Sequence, residues 1–274
     1  MTHLQPWDEG IWNVDGPDVN FISFPYPTRM VVVRIRDSND SSISSNNNDN
    51  NNRAVGGAWL WSPIPWSLEL QTEIEAACQG PICFIVSPNK IHWLFLNEWH
   101  THCPEARVLV PPGLAERKVL PKELRVDATL TDAPESGYAE QLNQVILKGF
   151  LPEMVFFHRP SRTLIVCDYI QRFSETDDKC QGCKGWLLRM GGVVGPNGTA
   201  PSDLRLATRL TGGLPALSTA LDRIRAWNPE KLIIAHGENV HQDAMVAIEM
   251  GFRWIPSSSR TKKKCFCFSL DQNG

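Results

Sequence analysis

The sequence lacks any apolar run of the roughly 18–20 residues that a membrane-spanning helix requires. Its first ten residues, MTHLQPWDEG, are polar and do not contain the apolar segment of a signal peptide. The eight cysteines are scattered among apolar neighbours, which favours reduced thiols in a core over a disulfide framework. These absences predict a cytoplasmic protein with no membrane partner.

An excess of positive charge is also missing, because 27 Lys and Arg residues face 30 Asp and Glu residues. A net charge of −3 gives no indication of nucleic-acid binding, so we expect no nucleic-acid partner. The longest basic run, residues 260–264, lies in what we predict to be a flexible basic C-terminal tail, residues 257–274. The chain has no Gly-x-Ser-x-Gly elbow, kinase signature or repeat of fixed period. The oligomeric state is left open.

Of the 274 residues, 42% are hydrophobic, which is enough to form the core of one large domain or two small ones. We assign residues 1–256 to a single domain. Residues 38–53 are rich in Ser and Asn, and we predict that they form a disordered insertion. The insertion separates two strands, residues 30–35 and the segment GGAWLWSP, which read as a hairpin with a lengthened turn.

The remaining pattern alternates between strand and helix. It predicts helices in SLELQTEIEAACQG, IHWLFLNEWHTHC, YAEQLNQVIL, ALSTALDRIRAWN and VHQDAMVAIEMGFRWI. It predicts buried strands in ICFIVSP, RVLVPP and KLIIAHG, and a strand pair in EMVFFHRPSRTLIVCDYI. This alternation is typical of an α/β protein whose helices pack against a sheet.

Three of these predicted strands stop at residues that can ligate a metal or transfer a proton. Asn89 and His92 follow the first strand, Asp168 ends the second, and His236 ends the third. Because ligands of layered α/β folds bind beyond the carboxyl ends of strands, we expect these side chains to converge. Asn89 is the expected N-cap of the next helix, which would place His92 in its first turn.

Several segments together resemble the metallo-β-lactamase fold superfamily, and most closely its domain-of-unknown-function family 4336. They are PTRMVVVRI, WSPIP, SPNKIHWLF, PPGL, FFHRPSRTLIVCD and IIAHGE, and the resemblance covers roughly residues 10–256. It implies a four-layer αββα sandwich, an α/β fold with a metal site at the strand ends.

The resemblance also shows where this chain departs from the HxHxDH motif of that superfamily. The two leading histidines and the acid of the motif are replaced by Ser87, Asn89 and Ile91. The last histidine corresponds to His92, while the later bridging acid and final histidine correspond to Asp168 and His236. No histidine lies between His102 and His158, where the superfamily has another ligand, and His158 lies within the predicted strand pair.

What is left, His92, Asp168 and His236, is the minimum ligand set for one open Zn²⁺ site or for an iron(II) triad. The first hypothesis is a single-metal hydrolase of a small ester, thioester or lactone. Asp168 would orient the attacking water, and Asn89 would hold that water or the substrate. The second hypothesis is a non-catalytic scaffold or binding protein that has lost its metal. The sequence leaves open whether the protein is an enzyme, and also the role of the CxxC pair Cys180 and Cys183.

Overall fold

The computed structural model describes residues 2–21, 24–36 and 56–256. The predicted insertion at residues 38–53 and the predicted tail at residues 257–274 therefore lie outside the described residues. The α-helices within the described ranges are α1 (Leu68–Cys78), α2 (Leu96–His102), α3 (Gly182–Gly191), α4 (Ser202–Leu210), α5 (Leu214–Trp227) and α6 (Ala244–Gly251). None of these helices combines the length and the apolarity that crossing a bilayer demands.

Most of the strands belong to two sheets. The first sheet contains β1 (Gln5–Asp8), β2 (Ile11–Asp15), β5 (Arg29–Ile35), β6 (Gly57–Trp61), β7 (Ile82–Val86), β8 (Arg107–Val110) and β9 (Ala128–Thr129), in that spatial order. The second contains β10 (Leu142–Leu147), β11 (Glu153–His158), β12 (Thr163–Val166) and β13 (Lys231–Ile234). A separate hairpin pairs β3 (Val19–Phe21) with β4 (Phe24–Tyr26).

The two sheets face each other across a buried apolar layer that includes Val33 and Trp59 from the first sheet and Phe156 and Ile233 from the second. Each fully buried side chain of this kind contributes about 1.5–3 kcal/mol of transfer free energy. The outer face of the first sheet is covered by α1 and α2, and that of the second by α4, α5 and α6. The layers therefore run helix, sheet, sheet, helix.

Strand pairing explains how the polar strand ends come together. Strands β6, β7 and β8 are parallel to one another in the first sheet, and β12 is parallel to β13 in the second. The predicted hairpin is also present, since β5 pairs antiparallel with β6 and Val31 lies opposite Trp61. The carboxyl ends of β7, β12 and β13 carry the three polar segments that the sequence predicted.

The predicted helix YAEQLNQVIL is wrong, because its apolar part forms strand β10. This strand pairs antiparallel with β11 from Leu142↔His158 to Leu147↔Glu153. Leu142 and Ile146 pack between the sheets, while Val145 and Leu147 pack against the helices. A strand buried on both faces has an apolar run that periodicity alone does not distinguish from a buried helix.

Candidate metal centre and adjoining cavity

The predicted ligands lie side by side where the two sheets meet. The Nε2 atoms of His92 and His236 are 3.3 Å apart. Asp168 places Oδ2 at 3.5 Å from Nε2 of His92 and Oδ1 at 3.4 Å from Nε2 of His236. The thiol of Cys167 joins them, so that one ligand atom from each of the four residues lies within 4.8 Å of the others. This grouping could hold a metal ion.

The loop after β7 positions His92. The hydroxyl of Ser87 donates to the carbonyl oxygens of Asn89 and His92, at 2.8 and 3.0 Å. Asn89 Oδ1 accepts hydrogen bonds from the backbone N–H groups of Ile91 and His92. These local bonds hold a turn in place of a helix. Helix α2 starts only at Leu96, so the prediction that His92 lies in its first turn is wrong.

Ser62, directly after β6, orients the ring of His92. Its Oγ lies 2.8 Å from His92 Nδ1, and its backbone N–H donates to the carbonyl of Val86. Ser62 has a φ of 50°, in the left-handed region that residues other than glycine rarely occupy. Such strained positions concentrate at functional sites.

Asp168 is held by partners on each side of its carboxylate. Asn89 Nδ2 donates to Oδ2 at 2.7 Å, and Gln171 Nε2 donates to Oδ1 at 3.0 Å. The backbone N–H groups of Cys167 and Asp168 donate to the two carboxylate oxygens of Glu153, at 2.8 and 2.7 Å. Glu153 is fully buried at the start of β11, so it fixes the end of β12 relative to that strand.

His236 is fixed by the backbone of a different part of the chain. Its Nδ1 lies 2.9 Å from the carbonyl oxygen of Pro27. The next residue, Gly237, has a φ of 111°, and a Cβ there would lie 2.2 Å from the carbonyl oxygen of Arg172. Only glycine suits this position, because a side chain would meet both backbone strain and a steric clash.

The electrostatics of the cluster favour an ionised Asp168. Burial by itself raises the pKa of Asp168, but hydrogen bonds and charge interactions with His236 and His92 outweigh burial and hold it well below its usual range. Burial, and then the negative charge of Asp168, raise the pKa of Glu153 behind it. Burial also raises the pKa of the Cys167 thiol. Cys167 is therefore a poorer ligand than the other three, since the thiolate is the form that binds metals.

The donor atoms fit a single ion of the size of Zn²⁺. Because the carbonyl of Pro27 can only accept, neutral His236 carries its proton on Nδ1 and presents a lone pair at Nε2. Tetrahedral bonds of about 2.0–2.1 Å require ligand atoms about 3.3–3.4 Å apart. The two Nε2 atoms are 3.3 Å apart, and Asp168 approaches His92 through Oδ2 at 3.5 Å and His236 through Oδ1 at 3.4 Å. Hydrogen bonds to the second ring nitrogen of each histidine are typical of metal ligands.

A cavity of about 720 Å³ lies beside this cluster and shares His92, Asp168 and His236 with it. Most of the remaining lining is apolar and comes from the β3–β4 hairpin, the loop before α2, the segment after β10, and helices α3 and α4. The other lining residues are Val19, Phe24, Tyr26, Thr28, Ser62, Pro63, Ile91, Leu94, Phe95, Phe150, Leu151, Gln171, Leu187, Leu188, Pro201, Asp203, Leu204 and Ala207.

The sequence did not indicate Ser62, Glu153, Cys167 or Gln171 as parts of the site. Ser62 belongs to the segment WSPIP and follows a buried strand, as the predicted ligands do, so its position was a usable signal. Cys167 directly precedes Asp168. Glu153 gave no local signal, because its partners lie more than ten residues away along the chain. His158, within β11, bonds to Ser161 and takes no part in the cluster.

Two facing sheets between helical layers, with polar strand ends meeting at one site, define an α/β protein of metallo-β-lactamase fold. Among solved structures, the chain is similar to the metallo-β-lactamase from Pontibacter korlensis, with a TM-score of 0.55 and 13% identity over 91% of this chain and 97% of that chain. The metallo-β-lactamase from Hirschia baltica gives a TM-score of 0.53 and 12% identity over 93% and 99% of the two chains. The DIM-1 metallo-β-lactamase gives 0.53 and 13% over 91% and 94%.

At these identities the likeness establishes the fold alone, and the fold predicted from the sequence is confirmed. The sequence matches no protein-family model and no curated protein.

Proposed function

We propose that the protein is a single-metal hydrolase whose Zn²⁺ or Fe²⁺ is held by His92, Asp168 and His236, and whose substrate is a small ester, thioester or lactone. The observation that carries this proposal is that the two Nε2 atoms lie 3.3 Å apart, with one carboxylate oxygen of Asp168 at 3.5 Å from His92 and the other at 3.4 Å from His236. The segments SPNKIHWLF and FFHRPSRTLIVCD further support a place in or near domain-of-unknown-function family 4336.

A bound ion of this kind would lower the pKa of a coordinated water towards neutrality and polarise a substrate carbonyl. His92 and His236 would hold it through Nε2, with their rings fixed by Ser62 and by the carbonyl of Pro27. The ionised carboxylate of Asp168 would serve as a ligand and would orient the water by accepting a hydrogen bond from it.

Asn89 is a positioning residue in this mechanism. Its Nδ2 donates to Asp168 and its Oδ1 already accepts from two backbone N–H groups, so neither amide atom is directed at a substrate. Gln171 supports the other carboxylate oxygen of Asp168 in the same way. Together the two amides keep the carboxylate in one orientation with respect to both imidazole rings.

A non-catalytic binding protein is the second candidate, and the hydrogen bonding of the cluster favours it. Both oxygens of Asp168 are satisfied by side-chain amides without an ion. If Ser62 donates its hydroxyl proton to His92 Nδ1, His92 carries its own proton on Nε2 and donates it to His236 Nε2. The two functions therefore differ in whether a proton or a metal ion lies between the imidazole rings.

Metal analysis of the purified full-length protein separates these functions. We expect about one equivalent of zinc or iron in the wild type and none in His236→Ala, because two remaining ligands do not retain an ion. His3→Ala, which removes an exposed histidine, is the matched control and should keep the metal. A metal-free wild type whose thermal stability is unchanged by added zinc would overturn the hydrolase and favour the binding protein.

A further inference from the structure

The cavity beside the cluster has the size and character of a site for a small organic ligand. Its volume of about 720 Å³ lies within the range of roughly 300–1,000 Å³ that is common for such sites. Apolar side chains converge on it from separate segments, among them Phe24, Leu94, Phe150 and Leu187. Leu94, Phe150 and Leu187 are large hydrophobic residues that remain more than half exposed. Covering such surface is favourable, so a ligand with an apolar body would gain from burying it.

The Asp, Glu, Lys and Arg side chains that line the cavity are all of one sign, negative. Neither Lys nor Arg occurs among its lining residues in the described part of the chain, whereas two carboxylates do. Asp168 faces the imidazole rings, whereas Asp203 is exposed in the first turn of α4. Burial raises the pKa of the Tyr26 hydroxyl to about 12, and the negative charges of Asp168 and Asp203 add to this shift. Asp203 is therefore close to Tyr26 in the cavity lining. Apart from an ion held by the His92–His236 cluster, an anionic ligand would meet repulsion here and no compensating Lys or Arg among the described lining residues.

We propose that the cavity binds a neutral acyl compound, with its carbonyl at the His92–His236 cluster and its alkyl chain along the apolar wall, and that Asp203 disfavours acyl ligands that carry a negative charge. This inference deepens the proposed function and rests on it for the reaction. Binding of the acyl group rests on the cavity itself. Fatty amides are suitable probes, because they present a neutral carbonyl that resists hydrolysis.

The first test is a chain-length series of hexanamide, octanamide and decanamide, titrated into the full-length protein and followed by ligand-observed NMR. Each buried methylene strengthens binding about fourfold, so each step of two methylenes should lower Kd about 15-fold. Affinity that does not change with chain length would overturn the proposal. So would uptake of the protein by phosphatidylcholine vesicles without saturable binding of any amide.

A matched pair of variants on helix α3 tests the location. Leu187 and Met190 are exposed to 61% and 66%, but only Leu187 lines the cavity. Leu187→Asp should weaken octanamide binding about tenfold or more, while Met190→Asp should leave it unchanged. Since both side chains are exposed, neither substitution removes a core contact. Equal losses in the two variants would overturn the assignment to this cavity.

The role of Asp203 is tested on chelator-treated protein, in which a carboxylate ligand has no ion to bind. Octanoate should bind several-fold more weakly than octanamide. Asp203→Asn should reduce that difference, while Glu140→Gln, which removes an exposed charge outside the cavity lining, should not. Octanoate that binds as tightly as octanamide to the wild type would overturn the charge selection.

Combined with metal analysis, these results distinguish the two proposals. Selective amide binding by a protein that never holds metal would refute the hydrolase and support the acyl site. Stoichiometric metal without amide binding would refute the acyl site and support the hydrolase.

Discussion

The orientation of the His92 ring depends on one hydroxyl group. Ser62 Oγ contacts Nδ1, and this contact leaves Nε2 directed at Asp168 and His236. In this geometry Ser62 adopts a left-handed backbone conformation, which costs of order 1–3 kcal/mol. The strain is understandable if the site requires a fixed imidazole, because a rotating ring would present a ligand atom only part of the time.

We expect Ser62→Ala to weaken zinc binding about 10- to 100-fold, the usual effect of losing a group that orients a metal-ligating histidine. Titration with a zinc-chelating dye measures the change. Ser67→Ala is the matched control, because Ser67 caps helix α1 and does not touch the cluster. That control should lower the free energy of unfolding by about 1 kcal/mol with zinc affinity unchanged. Equal zinc affinities for the wild type and Ser62→Ala would contradict the assigned role.

At the scale of elements, the end of β12 is tied to the start of β11 by a buried carboxylate. Glu153 accepts two backbone hydrogen bonds from residues 167 and 168, and the neighbouring residue Met154 donates its N–H to the carbonyl of Pro88. The first two residues of β11 therefore connect the end of β12 with the loop that carries Asn89 and His92. The separation between the two halves of the cluster is set by this strand.

Glu153→Gln should lower the free energy of unfolding by about 1–3 kcal/mol and also weaken zinc binding. An amide offers one accepting oxygen in place of two, so one buried N–H loses its partner. Urea unfolding and zinc titration measure the two effects. Glu135→Gln, which loses a half-exposed pairing with Arg107, is the control and should cost less than about 1 kcal/mol. A stable Glu153→Gln variant with normal zinc affinity would show that the two backbone hydrogen bonds to Glu153 are dispensable.

At the scale of the whole molecule, side-chain hydrogen bonds and an ion pair join the two sheets. Arg29 of β5 donates to the carbonyl oxygens of Ile234 and Gly237, at 2.5 and 2.8 Å. Trp7 Nε1 donates to Thr163 Oγ1 at 3.1 Å, and Lys231 pairs with Asp8. His158 is buried near the second group of contacts, the one that includes Asp8.

Burial lowers the pKa of His158 to about 4, and the nearby charge of Asp8 opposes that shift only in part. Between pH 6.5 and 4 the unfolded chain therefore binds a proton that the folded protein does not. Stability from this residue is complete above pH 6.5 and is lost as the pH falls towards 4, by about 3 kcal/mol in all. His158→Gln should remove that part of the pH dependence, as measured by urea unfolding across the range. Parallel profiles for wild type and variant would contradict the buried neutral state.

Much of the architecture followed from local patterns. Residues 30–35, ICFIV and KLII were recognised as strands because β-branched and apolar runs of that length fit a covered sheet. Helix α1 was recognised from its Ser67 cap and the spacing of Leu70 and Ile74. The polar strand ends pointed to one site, and the structure brings those side chains together. The extent of the domain and the roles of the site residues stay predictions.

Other features had no local signature. Strand β10 was mistaken for a helix because both of its faces are buried, and helices α3 and α4, which wall the cavity, were not predicted. His92 was placed in a helix because the turn that holds it depends on side-chain bonds from Ser87 and Asn89.

The sequence alone determined which segments are buried and which residues can carry chemistry, because burial periodicity and residue type are local properties. The tertiary structure decided which of them meet. Asn89 and Asp168 are 79 positions apart along the chain, and His92 and His236 are 144 apart. Contacts at such separations depend on how the two sheets pack, and sheet packing leaves no periodic trace in any one segment.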